Sequence, residues 1–194
     1  MLDVVLDLRR RHGFTADDVV TVRTRVEFGN KRNLMYTEPS QEMEARFSMN
    51  YCIALALLYG RLSLSDFTPQ AVHRPEVCAL LSRVTMDAYE RDAQGPDPTV
   101  RLPHEVCITL KDGRVLTGSS TWARGTIHNP FEASDYSEKF EDCCRNFLSP
   151  GDFAAAREML QNLERLDSIR RLMQHLVFTA GSDRGERFAG KKRC

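Results

Sequence analysis

The chain has 194 residues, with 27 basic and 27 acidic side chains, so its formal charge at neutral pH is zero. A balanced charge excludes broad electrostatic capture of nucleic acid, and no apolar run reaches the roughly 18 residues of a membrane span. This length supports one domain, or one domain with a helical appendage, that buries roughly 70% of its unfolded surface without needing covalent staples.

Residues 2–12 read as an amphipathic helix, with Leu2, Val5, Leu6 and Leu8 as its apolar stripe and Gly13 as its stop. The helix begins at Met1 without a capping residue or lead-in. From Val20 to Phe28 the chain alternates strictly, with Val20, Val22, Thr24, Val26 and Phe28 on one face, which predicts a half-exposed strand. Gly29 to Pro39 reads as a polar loop. A single long helix is expected from about Ser40 to Tyr59, turning from a charged approach into an almost uncharged run that Gly60 ends. Arg74-Pro75 opens a short helix through Ser82, and residues 84–89 form a strand.

The second clear β signal is a hairpin: His104–Leu110 and Arg114–Trp122 flank Lys111-Asp112-Gly113, and Asp-Gly between β-rich arms is a turn signal. Beyond Asn129-Pro130 the pattern is helical. One helix spans about 134–148. Ser149-Pro150-Gly151-Asp152 supplies a cap, a first-turn proline and an N-terminal carboxylate for the next. A last helix is expected near 168–178, before a Gly/Ser/Arg/Lys tail expected to be disordered. This order predicts an α+β fold, with a small antiparallel sheet of about four strands backed by helices and followed by C-terminal helices.

The six cysteines show no CxxC or histidine-rich spacing, so reduced thiols and no metal are expected. Met1-Leu2-Asp3-Val4-Val5 lacks a signal peptide's basic start, and a soluble cytoplasmic protein is expected. No Walker, Rossmann, HExxH or GxSxG pattern is present. The five histidines are scattered. His128, in Arg124-Gly125-Thr126-Ile127-His128-Asn129-Pro130 after a strand end, is the one best placed for a site. Tyr36, Arg46, Ser48 and Tyr51 form a second group. Arg46 could grip a carboxylate through two parallel hydrogen bonds, or simply pair with Glu42 on a solvated helix face. Tyr36 could donate a hydrogen bond from its loop or pack there. Tyr51 reads as core.

Several segments in register resemble the C-terminal part of the MmgE/PrpD family, over about residues 2–170. Pro39 followed by Glu44-Ala45-Arg46-Phe47-Ser48 resembles the family's "P…EA(K/R)FS" motif, and the helix from Tyr51 follows it. Arg74-Pro75-Glu76-Val77, Leu110-Lys111-Asp112-Gly113-Arg114, and Gly125…Asn129-Pro130…Lys139-Phe140 resemble later family segments. The resemblance implies cofactor-free acid–base chemistry on small di- and tricarboxylic acids: dehydration, decarboxylation or epimerisation. It implies an α+β lid-type domain over residues 1–130, C-terminal helices of an all-helical domain over 131–180, and a tail over 181–194.

Family members are substantially longer, and their principal acid–base residues precede everything present here. The resemblance therefore implies a lid that contacts substrate yet is inactive alone. It places Tyr36 as a catalytic group and Arg46, Ser48 and His128 as substrate contacts. The implied partners are a carboxylic-acid substrate and either a homodimer mate or a companion helical-domain chain. A non-catalytic interaction module, or one chain of a split enzyme, stays open as the alternative.

Overall fold

A computed structural model describes residues 1–93, 95, 97 and 99–177. The predicted disordered tail and position 178 of the expected 168–178 helix lie outside the described residues. The chain divides into two compact units, one from Met1 to Pro130 and one beginning at Phe131.

The first unit begins with α1 (Leu2–His12), which ends on Gly13 in the left-handed conformation at φ 63°. Strand β1 (Val19–Val26) follows, then α2 (Phe28–Asn33), α3 (Glu42–Arg46), α4 (Met49–Tyr59), α5 (Pro69–Val72) and α6 (Pro75–Leu81). The remaining strands are β2 (Val84–Ala88), β3 (His104–Leu110) and β4 (Val115–Ser120). They form one sheet in the order β2-β1-β3-β4.

The fold is α+β, as the sequence predicts, but the sheet is mixed rather than antiparallel. β1 pairs antiparallel with β3, and β3 with β4, whereas β1 and β2 run parallel, with Val22 opposite Val84. The reason is the length of the connection. The segment between β1 and β2 holds five helices, and a crossover of that size permits the parallel pairing that a tight turn forbids.

One face of the sheet is apolar. Val22, Val26, Val106, Ile108, Leu110 and Leu116 are buried there, and α1 and α4 pack over the sheet. Helix α4 carries no charged residue and is buried through most of its circumference, as expected of a helix surrounded by protein. Gly118 in β4 permits the close approach of α1: a Cβ there would stand 2.7 Å from Val4 Cγ1. Arg9 of α1 donates from Nε to the Leu57 carbonyl at 3.1 Å, near the C-terminal end of α4.

Two local expectations are corrected. Val20 is 44% exposed rather than inward, because a register shift between Val19 and Thr21 turns Val19 into the core instead. Phe28 and the first part of the expected polar loop form α2, with Phe28 exposed.

The second unit contains α7 (Ala133–Cys144), α8 (Pro150–Gln161) and α9 (Ile169–His175). Helix α8 starts where the sequence places it: Ser149 Oγ accepts from the Asp152 N–H at 3.1 Å, with Pro150 in the first turn. Phe140 of α7 stacks on Phe153 of α8 at 5.3 Å between ring centroids. Asp152 meets His175 Nδ1 of α9 at 2.9 Å. Among the described residues, no helix is long and apolar enough to cross a membrane.

Candidate functional site

The expected single helix over 40–59 is two helices, and the break between them builds the candidate site. Helix α3 ends at Arg46, and Ser48 then adopts an extended conformation (φ −115°, ψ 113°) as the N-cap of α4. Its Oγ accepts the Tyr51 N–H at 3.1 Å, satisfying one of the backbone donors that a helix start leaves free. Ser48 also forms an isolated antiparallel bridge with Met35. That bridge sets Met35, the neighbour of Tyr36, opposite Ser48, two residues beyond Arg46.

The start of α3 is held by its own side chains. Ser40 donates from both its N–H and its hydroxyl to Glu44 Oε2, each at 2.8 Å. These bonds, that from the Ser40 N–H first, hold the Glu44 carboxyl below its ordinary range. The alternative pairing of Arg46 with Glu42 does not form, and Arg46 is exposed. Around it Met35, Met43 and Phe47 are also exposed. Tyr36 is partly buried, and Ser48 is wholly buried with no surface open to solvent. Ser48 therefore acts in this conformation by setting the geometry of the junction.

Below the junction lies a buried polar network that anchors it. Asn50 donates from Nδ2 to the carbonyls of Leu81 at 3.0 Å and Val84 at 2.7 Å, tying the start of α4 to the start of β2. Tyr51 is completely buried and donates its hydroxyl to the Asp66 carbonyl at 2.5 Å. Burial pushes its phenol up to about 12, so it remains protonated at neutral pH. The sequence reading of Tyr51 as core holds. The Asp66 carboxylate, also buried, receives Arg74 Nη1 at 2.9 Å and the Ser63 N–H at 2.9 Å.

His128 lies in the loop leaving β4, the edge strand at the other side of the sheet from β2, where its ring sits tilted against Trp122 at 4.1 Å between centroids. The loop is pinned by Gly125 N–H donating to the Asn129 carbonyl at 2.7 Å and by Asn129 Nδ2 donating to the Trp122 carbonyl at 3.2 Å.

A concavity of about 850 Å³ lies elsewhere, on the open face of the sheet. Arg23, Arg25, Asp87, Glu105 and Cys107 line it, and none of Tyr36, Arg46, Ser48 or His128 does. Register places Asp87, Arg25, Glu105 and Ser119 in one row across the four strands, and Thr85, Arg23, Cys107 and Thr117 in the next. Arg25 lies over the Tyr89 ring at 4.2 Å and reaches Glu105 at 4.0 Å. The two cations and two carboxylates balance, which suits a solvated face better than capture of a polyanion. The signal for this face was present in the alternation of β1, whose polar positions Thr21, Arg23 and Arg25 define it. No cluster of three or more potential metal ligands occurs among the described residues.

Comparison with known proteins gives a consistent result. The family model described as the MmgE/PrpD C-terminal domain matches residues 1–165. Cis-aconitate decarboxylase of Mus musculus is 31% identical over 141 residues, covering 70% of this chain and 28% of the relative. The protein of that name from Homo sapiens is 32% identical over 130 residues, covering 66% of this chain and 26% of the relative. The mitochondrial 2-methylcitrate dehydratase of Yarrowia lipolytica (strain CLIB 122 / E 150) is 27% identical over 111 residues, covering 55% and 21%. The matched stretch thus spans about a quarter of the length of these relatives.

Proposed function

Because the chain belongs to the MmgE/PrpD family, we propose that it forms the C-terminal, lid-type part of a lyase or isomerase acting on small di- or tricarboxylic acids. The chemistry is acid–base and needs no cofactor. A base removes a proton beside a carboxylate; an acid then expels water, assists loss of carbon dioxide, or reprotonates the carbon. Donors and cations steady the enolate-like charge that develops. The observation that carries this reading is the junction at Ser48. There the exposed Arg46 closes α3, and the Met35–Ser48 bridge brings the segment that carries Tyr36 to the capped start of α4.

In this reading Arg46 binds a substrate carboxylate bidentately, and Tyr36 donates to the reacting oxygen as the lid's catalytic group. Ser48 orients both. His128 contributes a further contact from its own loop. The principal proton-transfer groups lie in the part of the enzyme that this chain does not contain, so the chain alone binds without turning over.

The exposed Leu160 and Leu163 of the second unit offer an apolar face against which the helical part of the enzyme packs in this reading. The test is titration calorimetry of the 194-residue chain with citrate and cis-aconitate, alongside a turnover assay. Millimolar binding that Arg46→Ala abolishes and His128→Ala weakens less, without turnover, is the expected result. Turnover by the isolated chain would overturn its inactivity alone; absence of heat would favour a non-catalytic interaction module.

A further inference from the structure

The concavity on the open face of the sheet holds charges that find no match within the chain. At several places elsewhere on the surface, opposite charges meet locally: Asp7 with Arg10, Asp112 with Arg114, and Glu141 with Arg145. In the concavity Arg25 is engaged, lying over the Tyr89 ring and reaching Glu105. Arg23 and Asp87 are exposed, and among the described residues neither side chain has an ion-pair or hydrogen-bond partner. The hydroxyls of Thr117 and Ser119, which line the same concavity, are likewise without a partner.

The register fixes how far apart the two unmatched charges stand. Asp87 lies opposite Arg25, and Arg23 is two residues before Arg25 on the same face. With strands about 4.8 Å apart and alternate residues about 6.8 Å apart, the Cα atoms of Arg23 and Asp87 are separated by a diagonal of about 8 Å. A cation and an anion at that spacing complement a ligand that carries both charges. They do not suit a polyanion, which Asp87 and Glu105 repel. A single amino acid holds its ammonium and carboxylate about 3.5 Å apart, whereas a dipeptide holds them about 7 Å apart. The volume of about 850 Å³ falls in the range of small-molecule sites.

We propose that this concavity binds a dipeptide in its zwitterionic form, with the terminal carboxylate on Arg23 and the terminal ammonium on Asp87. The guanidinium of Arg23 takes the carboxylate through two parallel hydrogen bonds, and the ammonium donates to the Asp87 carboxylate. Glu105, in the same row as Asp87, adds negative potential on the ammonium side. The Thr117 and Ser119 hydroxyls leave the remaining space better suited to a small or polar side chain than to a bulky apolar one. All these groups are near water, where ion pairs are weak, so the affinity is millimolar and falls as salt is added.

A chemical-shift titration of the full chain with L-alanyl-L-alanine at low ionic strength tests this. Saturating perturbations are expected at Arg23, Asp87 and their cross-strand neighbours. Arg23→Gln and Asp87→Asn should each weaken binding by about threefold to tenfold. Both positions are exposed, where substitution leaves stability nearly unchanged.

Two further ligands test the wild type without any variant. N-acetyl-L-alanyl-L-alanine lacks the ammonium and L-alanine lacks the span, so both should bind several-fold more weakly than the dipeptide. No perturbation at tens of millimolar dipeptide overturns the proposal. Equal binding of the acetylated dipeptide also overturns it, by reducing the site to anion adsorption on Arg23, and equal binding of L-alanine removes the argument from spacing. None of these readouts depends on citrate or on Arg46, so the proposal stands or falls apart from the site at Ser48.

Discussion

Helices α4 and α8 are nearly equal in length, at eleven and twelve residues, yet their surroundings are opposite. Met49 to Leu57 of α4 is buried at every position except Cys52, whereas α8 buries only Ala156. The apolar side chains of α4 meet α1, α6 and the sheet. Those around α8 and α9 are left open: Leu160, Leu163, Ile169 and Met173 are each at least 40% exposed. The contrast teaches that the first unit completes its own core. The second unit carries apolar surface in excess of what its own helices cover, as expected of helices whose partner is another polypeptide surface.

Substitution breaks or sharpens this comparison most strongly in the core. Leu55 is fully buried, so Leu55→Ala should cost about 2–5 kcal/mol in urea unfolding. Leu160→Ala, at a position 40% exposed, should stay within about 0.5 kcal/mol. Equal losses would erase the distinction.

A smaller effect is expected at the anchor of the site. Asn50→Ala deprives the Leu81 and Val84 carbonyls of a shared donor in a buried setting, at about 1–3 kcal/mol. Because Asn50 ties α4 to β2, the loss should appear with weaker ligand binding at Arg46. Unchanged stability would show that the junction is not anchored as described.

The smallest effect is a pH dependence in the first unit. His104, at the start of β3, meets Asn30 of α2 at 3.0 Å through Nε2. Burial first, and the chain's amino terminus second, lower its pKa from the ordinary 6.5. A depressed folded pKa means that the unfolded state binds the proton more readily. Its contribution is therefore complete above about pH 6.5 and is lost as pH falls through the folded value. His104→Gln should flatten the stability profile in that window; an unaltered slope would assign it to another group.

What was legible in the sequence followed from local chemistry. The Ser149-Pro150-Asp152 cap, the Asp112-Gly113 hairpin and the Gly13 stop each need only neighbouring residues, and each forms where expected. The misreadings needed tertiary information. A helical period ran unbroken from Ser40 to Tyr59, yet the chain breaks at Ser48, because a bridge to Met35 and the cap to Tyr51 compete with continued helix. The parallel pairing of β2 with β1 depends on a crossover that no short pattern encodes.

At the site, sequence supplied Tyr36, Arg46 and Ser48 as a group but could not reveal that Ser48 is sealed inside it. Nor could it reveal that His128 leaves the opposite edge of the sheet.

The most direct test of the ligand reading is a backbone amide chemical-shift titration of the 194-residue chain with citrate. The account predicts perturbations concentrated on residues 35–48 and removed by Arg46→Ala. Perturbations confined to Arg23, Arg25 and Glu105 on the open face, or none at millimolar citrate, would contradict it.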